Sequence, residues 1–287
     1  IDIEQKYGSL TRGMIAARKA RAAASKSNGQ SATGKSTTVF MTLRNGLQEL
    51  VTALRDALRG DVITGCGVSS IQPQGNGYTL TLDDGRQLEA DAVVLATPAF
   101  VSADLLRAQH PELAAMLDAI RYVSTATVSL GFDATDFDHP LNGFGFVVPR
   151  KEPTRLLACT WTSTKFTHRA GPNTVLLRAF IGGPRREEFV GLDDDALISL
   201  VREELHAIMG ISAAPTVARA YRWQRGNPQY DVGHLERVDQ MEALAPPGVF
   251  LTGSAFRGVG IPDCVKQGRV IAEQAAAYIG QHVPAEA

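Results

Sequence analysis

Apolar and polar positions along the chain change their period several times, and each change marks an element. Residues 1–21 follow a helical period, with Leu10, Met14 and Ile15 apolar and Arg12, Arg18, Lys19 and Arg21 basic. Ser25 to Thr38 is rich in Ser, Gly, Thr and Lys and predicts a loop. Leu47 to Leu58 is an amphipathic helix that follows the turn pair Asn45-Gly46. Asp61 to Ser70 alternates like short strands. Tyr78–Leu82 and Gln87–Leu88 flank Asp83-Asp84-Gly85, a hairpin signal. Ala92 to Ala96 is a continuous apolar run ending at Thr97-Pro98 and predicts a buried strand, and helices are expected at Val101–Leu106 and Pro111–Ala119. Four β-rich stretches follow, Tyr122–Phe132, Gly143–Val148, Arg155–Thr162 and Thr174–Ile181, which predict a mostly antiparallel sheet. Asp193 to Met209 is a helix, acidic at its start and apolar along one stripe. Strands at Thr216–Trp223 and Val249–Thr252 and a last helix at Pro262–Ile279 complete the pattern, which contains no internal repeat.

The fold class is therefore a mixed α/β (α+β) one, with α/β segments bracketing a β-rich insertion. The expected divisions are 1–38 (helix and loop), 39–100 (α/β segment), 101–222 (β-rich domain) and 223–287 (strand, glycine turn and helix).

Composition narrows the function classes. The 287 residues are 44% hydrophobic and 21% charged, with net charge −1. No global field recruits nucleic acid, and no apolar run approaches the ~20 residues that span a bilayer. No secretory signal is visible. Cys66, Cys159 and Cys264 are an odd number, far apart, which fits buried thiols in a reducing cytosol and neither a disulfide scaffold nor a metal site. The sequence opens on Ile1 and not on Met, so an upstream part is expected.

Two glycine-rich patterns carry candidate chemistry. Gly29 to Ser36 matches GxxxxGK[ST] letter for letter. A phosphate loop needs a buried strand before it and a helix after it. Here a basic Ala/Ser stretch precedes it and an extended Thr/Val/Phe stretch follows, so it is expected to be an ordinary loop. The second pattern is Gly248-Val-Phe-Leu-Thr-Gly253-Ser254, then Arg257-Gly-Val-Gly-Ile-Pro-Asp263 and the last helix. Pro262 suits a first helical turn, and Gly258 and Gly260 let backbone approach a flat ligand. The helix start offers unpaired N–H groups and a positive dipole end. These would stabilise the negative charge of a reduced flavin.

At these residues the chain resembles the bacterial porphyrinogen oxidases of haem synthesis, within the amine-oxidase-like flavoproteins. The matching pieces are Tyr7-Gly-Ser-Leu-Thr-Arg-Gly-Met14, Leu43-Arg-Asn-Gly-Leu-Gln-Glu-Leu50, Ala158-Cys-Thr-Trp-Thr162, Asn227-Pro-Gln-Tyr-Asp-Val-Gly-His234 and Gly258-Val-Gly-Ile-Pro-Asp-Cys264. The resemblance implies a partial Rossmann-like FAD-binding domain (39–100 and 223–287) interleaved with a β-rich substrate-binding domain (101–222). It implies FAD contacts at Val68 (adenine), Trp223 (beside the flavin), Gly253 (pyrophosphate and ribityl chain), and Val259, Gly260, Ile261 and Pro262 (under the isoalloxazine). It further implies oxidation of protoporphyrinogen IX or coproporphyrinogen III with molecular oxygen as acceptor, in a cytoplasmic setting with weak peripheral contact to anionic lipid through residues 1–21. No strand with G-x-G-x-x-G is present, a departure from the family's opening. The alternatives are another amine-oxidase-like flavoprotein, or an inert fragment that binds no cofactor.

A porphyrinogen site needs apolar walls and cations for carboxylates. Arg150, Lys151, Arg155, Lys165, Arg178, Arg185, Arg186 and Arg222 are candidate cations, and Phe144, Phe146, Trp161 and Phe166 candidate walls. His168 and His234 are the candidate proton acceptors, and no catalytic base is assigned.

Overall fold

The computed structural model describes residues 8, 9, 11–13, 15, 16, 19 and 41–282. Of the helix expected over 1–21, residues 11–13, 15, 16 and 19 are helical. The phosphate-loop pattern and the stretch Ser25 to Thr38 lie outside the described residues. The chain divides into a unit of residues 1–56 and a unit of residues 57–287. In the first, helix α1 (Gln48–Ala57) starts where expected. Glu49 reaches back to the backbone N–H of Asn45 at 3.2 Å, which satisfies a donor ahead of the first turn.

The second unit contains two cores. The first is built on a three-stranded antiparallel sheet, β1 (Val68–Gln74), β2 (Gly77–Leu82) and β3 (Gln87–Ala90), and on β4 (Val93–Leu95) paired in parallel with β10 (Val249–Leu251). Asp83-Asp84-Gly85 makes the β2–β3 turn as expected, and a second hairpin at Gly75-Asn76 joins β1 to β2. Residues 61–67, read as strand-like, are irregular, and the strand begins only at Val68. Helices α2 (Ala99–Leu106), α3 (Pro111–Asp118) and α5 (His234–Leu244) pack around this core through residues such as Ala103, Leu113, Leu117, Val238 and Met241. The Tyr78 hydroxyl donates to Pro247 O at 2.6 Å and ties the hairpin sheet to the approach of β10. β4 is covered on one face only: Val93 and Leu95 are buried, whereas Val94 is exposed.

The second core is a five-stranded antiparallel sheet in the order β6-β7-β8-β5-β9. Its strands are β5 (Tyr122–Asp133), β6 (Gly145–Val147), β7 (Leu156–Trp161), β8 (Thr174–Gly182) and β9 (Val217–Pro228). β5 shows why one face is inside: Ala126, Val128, Leu130 and Phe132 are buried together, with Leu177, Ala179 and Ile181 of β8 beside them. That period of two places Thr125, Thr127, Ser129 and Gly131 on the opposite face. Helix α4 (Asp194–Met209) covers the buried face with Leu197, Val201 and Leu205. Its cap is the Asp193 carboxylate, which accepts from the Ala196 N–H at 2.8 Å.

Two expected divisions fall inside elements. The cut at 100/101 lies within α2, and residues as far as Ile120 belong to the first core. The cut at 222/223 lies within β9, which runs on to Pro228. Helix α5 has no counterpart in the sequence reading, because its apolar positions are few and it starts directly after Gly233 in left-handed conformation (φ 79°). Among the described residues no helix is long and apolar enough to cross a membrane.

Arg155, at the start of β7, holds α4 to the sheet. Its Nε reaches Glu204 at 2.6 Å and its Nη2 reaches Glu203 at 2.9 Å. Burial raises the Glu204 pKa, but hydrogen bonds from Thr154 and Arg155 outweigh it, and the carboxyl lies below its ordinary 4.5. A depressed carboxylate contributes stability that is present above the unfolded pKa and lost as pH falls through the folded one. Glu204→Gln should therefore lower unfolding free energy by about 1–3 kcal/mol at neutral pH. In urea titrations the gap to the parent protein should close below the ordinary glutamate range.

Candidate functional site

The connection between β10 and α6 (Ile261–His282) is tightly constrained at its glycines. β10 leads to Thr252, whose N–H donates to Leu95 O at 3.0 Å and so stays in register with β4. Ala255 and Phe256 then turn into the first core. Arg257 turns outward to α5, with Nη2 at 2.6 Å from Asp239 and Nε at 3.0 Å from Glu242. Gly258 has φ +142°, and a Cβ there would lie 2.7 Å from the Asp263 Cβ. Gly260 caps the helix: its carbonyl accepts the Cys264 N–H at 2.9 Å. The N–H groups of Ile261 and Asp263 thus fall in the first turn, where no intrahelical acceptor exists. Val259 and Ile261 are exposed, at 60% and 47%.

The stretch 227–234 positions this loop. The Tyr230 hydroxyl donates to Ser254 O at 2.7 Å and accepts the Gly258 N–H at 3.0 Å. Burial raises the phenol's pKa against the opposing pull of that N–H, so it stays protonated as a donor. His234 stacks on Tyr230, ring centroids 4.0 Å apart, and its Nε2 is 2.8 Å from Phe256 O. A carbonyl can only accept, so Nε2 carries the proton. His234 is buried and its Nδ1 has no partner. It braces the loop from inside. His168 is exposed, in a short helical turn beside the Phe166 ring.

β9 carries Trp223 and connects to this loop through Tyr230. Thr125 pairs with Trp223 and Val123 with Asn227, so Gln224, Arg225 and Gly226 bulge opposite Ser124. Arg225 has φ +45°, and its guanidinium lies 3.6 Å from the Phe100 ring centroid. Before the bulge, Val217, Tyr221 and Trp223 alternate as exposed apolar positions on the sheet face opposite α4.

The structure brings Gly253, Val259, Gly260, Ile261 and Pro262 into one connection. Trp223 lies on β9, before the bulge. Val68 is half-buried at the start of β1, on the margin of the first core. Of the candidate cations, Arg155 is matched by Glu203 and Glu204. Arg222 is matched by Asp194 and by the carbonyls of Val190 and Leu192. Both are structural. Trp161 packs in the second core and Phe146 packs against it, whereas Phe144 is exposed. Arg219 and Tyr221 share the exposed alternation of Val217, Arg219, Tyr221 and Trp223 along β9, a signal present in the sequence.

A cleft of ≈ 970 Å³ separates β10 from α6, lined by Val249, Phe250, Thr252, Lys266, Val270 and Tyr278 among others. No residue of α6 is buried. The Thr252 hydroxyl in the strand end is buried without a partner. Open amides, close-approach glycines and this hydroxyl suit a flat anionic ligand with a polar tail.

The profile of the flavin containing amine oxidoreductases matches residues 3–276. A coproporphyrinogen III oxidase of Bacillus subtilis is 38% identical over 96% of this chain and 58% of its own length. A protoporphyrinogen oxidase of Macaca fascicularis is 31% identical over 79% of this chain and 50% of its own. The crystal structure of a candidate protoporphyrinogen oxidase from Exiguobacterium sp. 255-15 superposes with TM-score 0.78 at 32% identity, covering 95% of this chain and 56% of that one. The chain spans about half the length of the curated relatives it matches, 58%, 46% and 59% for the first three.

Tyr230→Phe removes both bonds that hold the loop ends. Amide exchange at Gly258 should rise roughly tenfold, and stability should fall by about 1–2 kcal/mol. Native-state hydrogen exchange with mass spectrometry, alongside urea unfolding, checks both values.

Proposed function

This chain belongs to the flavin containing amine oxidoreductase family, and from that footing we propose that it serves FAD-dependent oxidation of a porphyrinogen, coproporphyrinogen III in particular. The observation that carries the reading is the loop Gly258–Pro262, braced by Tyr230 and His234 yet exposed at the start of α6. In this reading Val259, Gly260, Ile261 and Pro262 lie under the flavin, and Gly253 lets the backbone run close to the ribityl and pyrophosphate. Val68 would meet the adenine, and Trp223 would stand beside the ring on the substrate side. Held there, FAD would supply hydride acceptance from the macrocycle and delivery of the electrons to molecular oxygen.

The chain's own residues then have two tasks. The first-turn N–H groups of α6 stabilise negative charge on the face they meet, without reorganisation, because Gly260 and Tyr230 already hold them in place. The face of the five-stranded sheet opposite α4 holds the macrocycle in a reactive pose. No side chain here serves as the base: the free nitrogen of His234, Nδ1, is buried, and a pyrrole proton can leave to solvent. The basic residues Arg12 and Lys19 would add only weak attraction to anionic lipid.

Relatives named coproporphyrinogen III oxidase at 38% and 37% identity favour that substrate over protoporphyrinogen IX. Solved putrescine oxidase structures at 17% identity and TM-score 0.66 share the fold alone. The test is oxidation of the two porphyrinogens side by side, followed by porphyrin fluorescence after FAD is supplied. A kcat/KM at least about tenfold higher for coproporphyrinogen III is expected. A protein that takes up no FAD and forms neither porphyrin would refute the reading.

Gly258→Ala puts a methyl against Asp263 at a backbone angle that disfavours side chains. It should cut retained FAD several-fold, read as flavin absorbance per protein after desalting, with the circular dichroism of the second core unchanged.

A further inference from the structure

Strand registers place two arginines in one row on the sheet face opposite α4. Arg178 of β8 pairs with Ser129 of β5, and Ser129 pairs on its other side with Arg219 of β9. Thr160 of β7 extends the row. Two strand spacings put the Arg178 and Arg219 backbones roughly 10 Å apart. The adjacent row, about 7 Å along the strands, is Phe180, Thr127 and Tyr221. Beyond it Trp223 pairs with Thr125, next to the bulge that leads to Tyr230.

Both arginines are exposed. Arg178 Nε donates to the Ser129 hydroxyl at 3.3 Å, a neutral partner. Neither guanidinium has a carboxylate partner among the described residues, unlike Arg155 and Arg222 on the covered side. The acid in register on this face is Asp133, two rows away at the end of β5, and it accepts from the N–H and hydroxyl of Thr135. Two unmatched cations a fixed distance apart, beside a shelf of rings, complement a flat apolar body with carboxylates on one edge.

We propose that Arg178 and Arg219 receive carboxylates of the porphyrinogen, while Phe180 and Tyr221, on either side of the buried Thr127, carry its ring. The inference rests on the porphyrinogen reading above and adds orientation to it. The carboxylate edge lies at the arginine row, and the opposite edge points along β9 toward Trp223 and the braced loop. Ser129 holds Arg178 in the row and acts as a positioning residue.

The probe is coproporphyrin III, compared with its tetramethyl ester, whose ring is the same but uncharged at the rim. Binding to the FAD-saturated protein is followed by porphyrin fluorescence. Arg178→Gln and Arg219→Gln should each weaken binding of the free acid roughly tenfold and leave the ester unchanged. Arg178→Lys and Arg219→Lys should recover most of the loss, and retained FAD should be the same in all variants. For coproporphyrinogen III the Gln variants should raise KM with little change in kcat. Equal losses for acid and ester, or unchanged binding of the acid, would overturn the arginine row while leaving the porphyrinogen reading intact. A parent protein that binds neither porphyrin and oxidises no porphyrinogen would overturn both.

Discussion

A single phenol oxygen sets the geometry on which the proposed chemistry depends. Tyr230 donates to Ser254 O and accepts from Gly258 N–H, and so closes the loop between β10 and α6 from both ends. The tyrosine arrives there because β9 leaves the sheet at Pro228, and the Gln229 N–H anchors the departing chain on Arg121 O at 2.8 Å. The bulge opposite Ser124 sets the strand's direction at that point. The sheet of the second core and the glycine loop of the first are therefore positioned by the same few residues. A shift of register in β9 would move the loop and the exposed Trp223 together.

The order of the chain explains this economy. β4 and β10 pair in parallel, and a parallel pair needs a long crossover. Here the crossover holds the whole five-stranded sheet and its covering helix α4. The inserted sheet stays attached where β5 enters after Ile120 and where β9 departs, and both points adjoin the first core. α4 occupies one face of the sheet, so the other can carry rings and cations without unfolding penalties from unpaired groups in the interior. The matched arginines, Arg155 and Arg222, contact α4 or the turn before it, and the unmatched ones stand opposite.

Much was legible because it is encoded over a few residues. The β-rich stretch of β5, the acidic start and apolar stripe of α4, the Asp-Asp-Gly hairpin turn and the glycine joint before Pro262 all appear where the local pattern put them. The family, too, was legible in short motifs spread from Tyr7 to Cys264. Other features were not. α5 escaped because its helical period is weak and it is held by tertiary contacts of Val238 and Met241. The element ends near the expected divisions were not legible either, because α2 and β9 run across 100/101 and 222/223 with no change of composition.

By itself the sequence determined most of the elements, their approximate ends and the kinship, since propensity, capping and periodicity act within a turn or two of the chain. Only the tertiary structure decided which chemically similar side chains serve structure and which face a ligand. Arg155, Arg178, Arg219 and Arg222 are alike in the sequence; contacts 28 to 49 residues away neutralise Arg155 and Arg222, while the register of β8, β5 and β9 aligns the other two on an open face. His234 could be read in the sequence as structural or as a base; its Nε2 on Phe256 O, 22 residues on, and its burial give it a structural contact. Pairing over such separations depends on how strands and helices close on one another, and no local pattern records it.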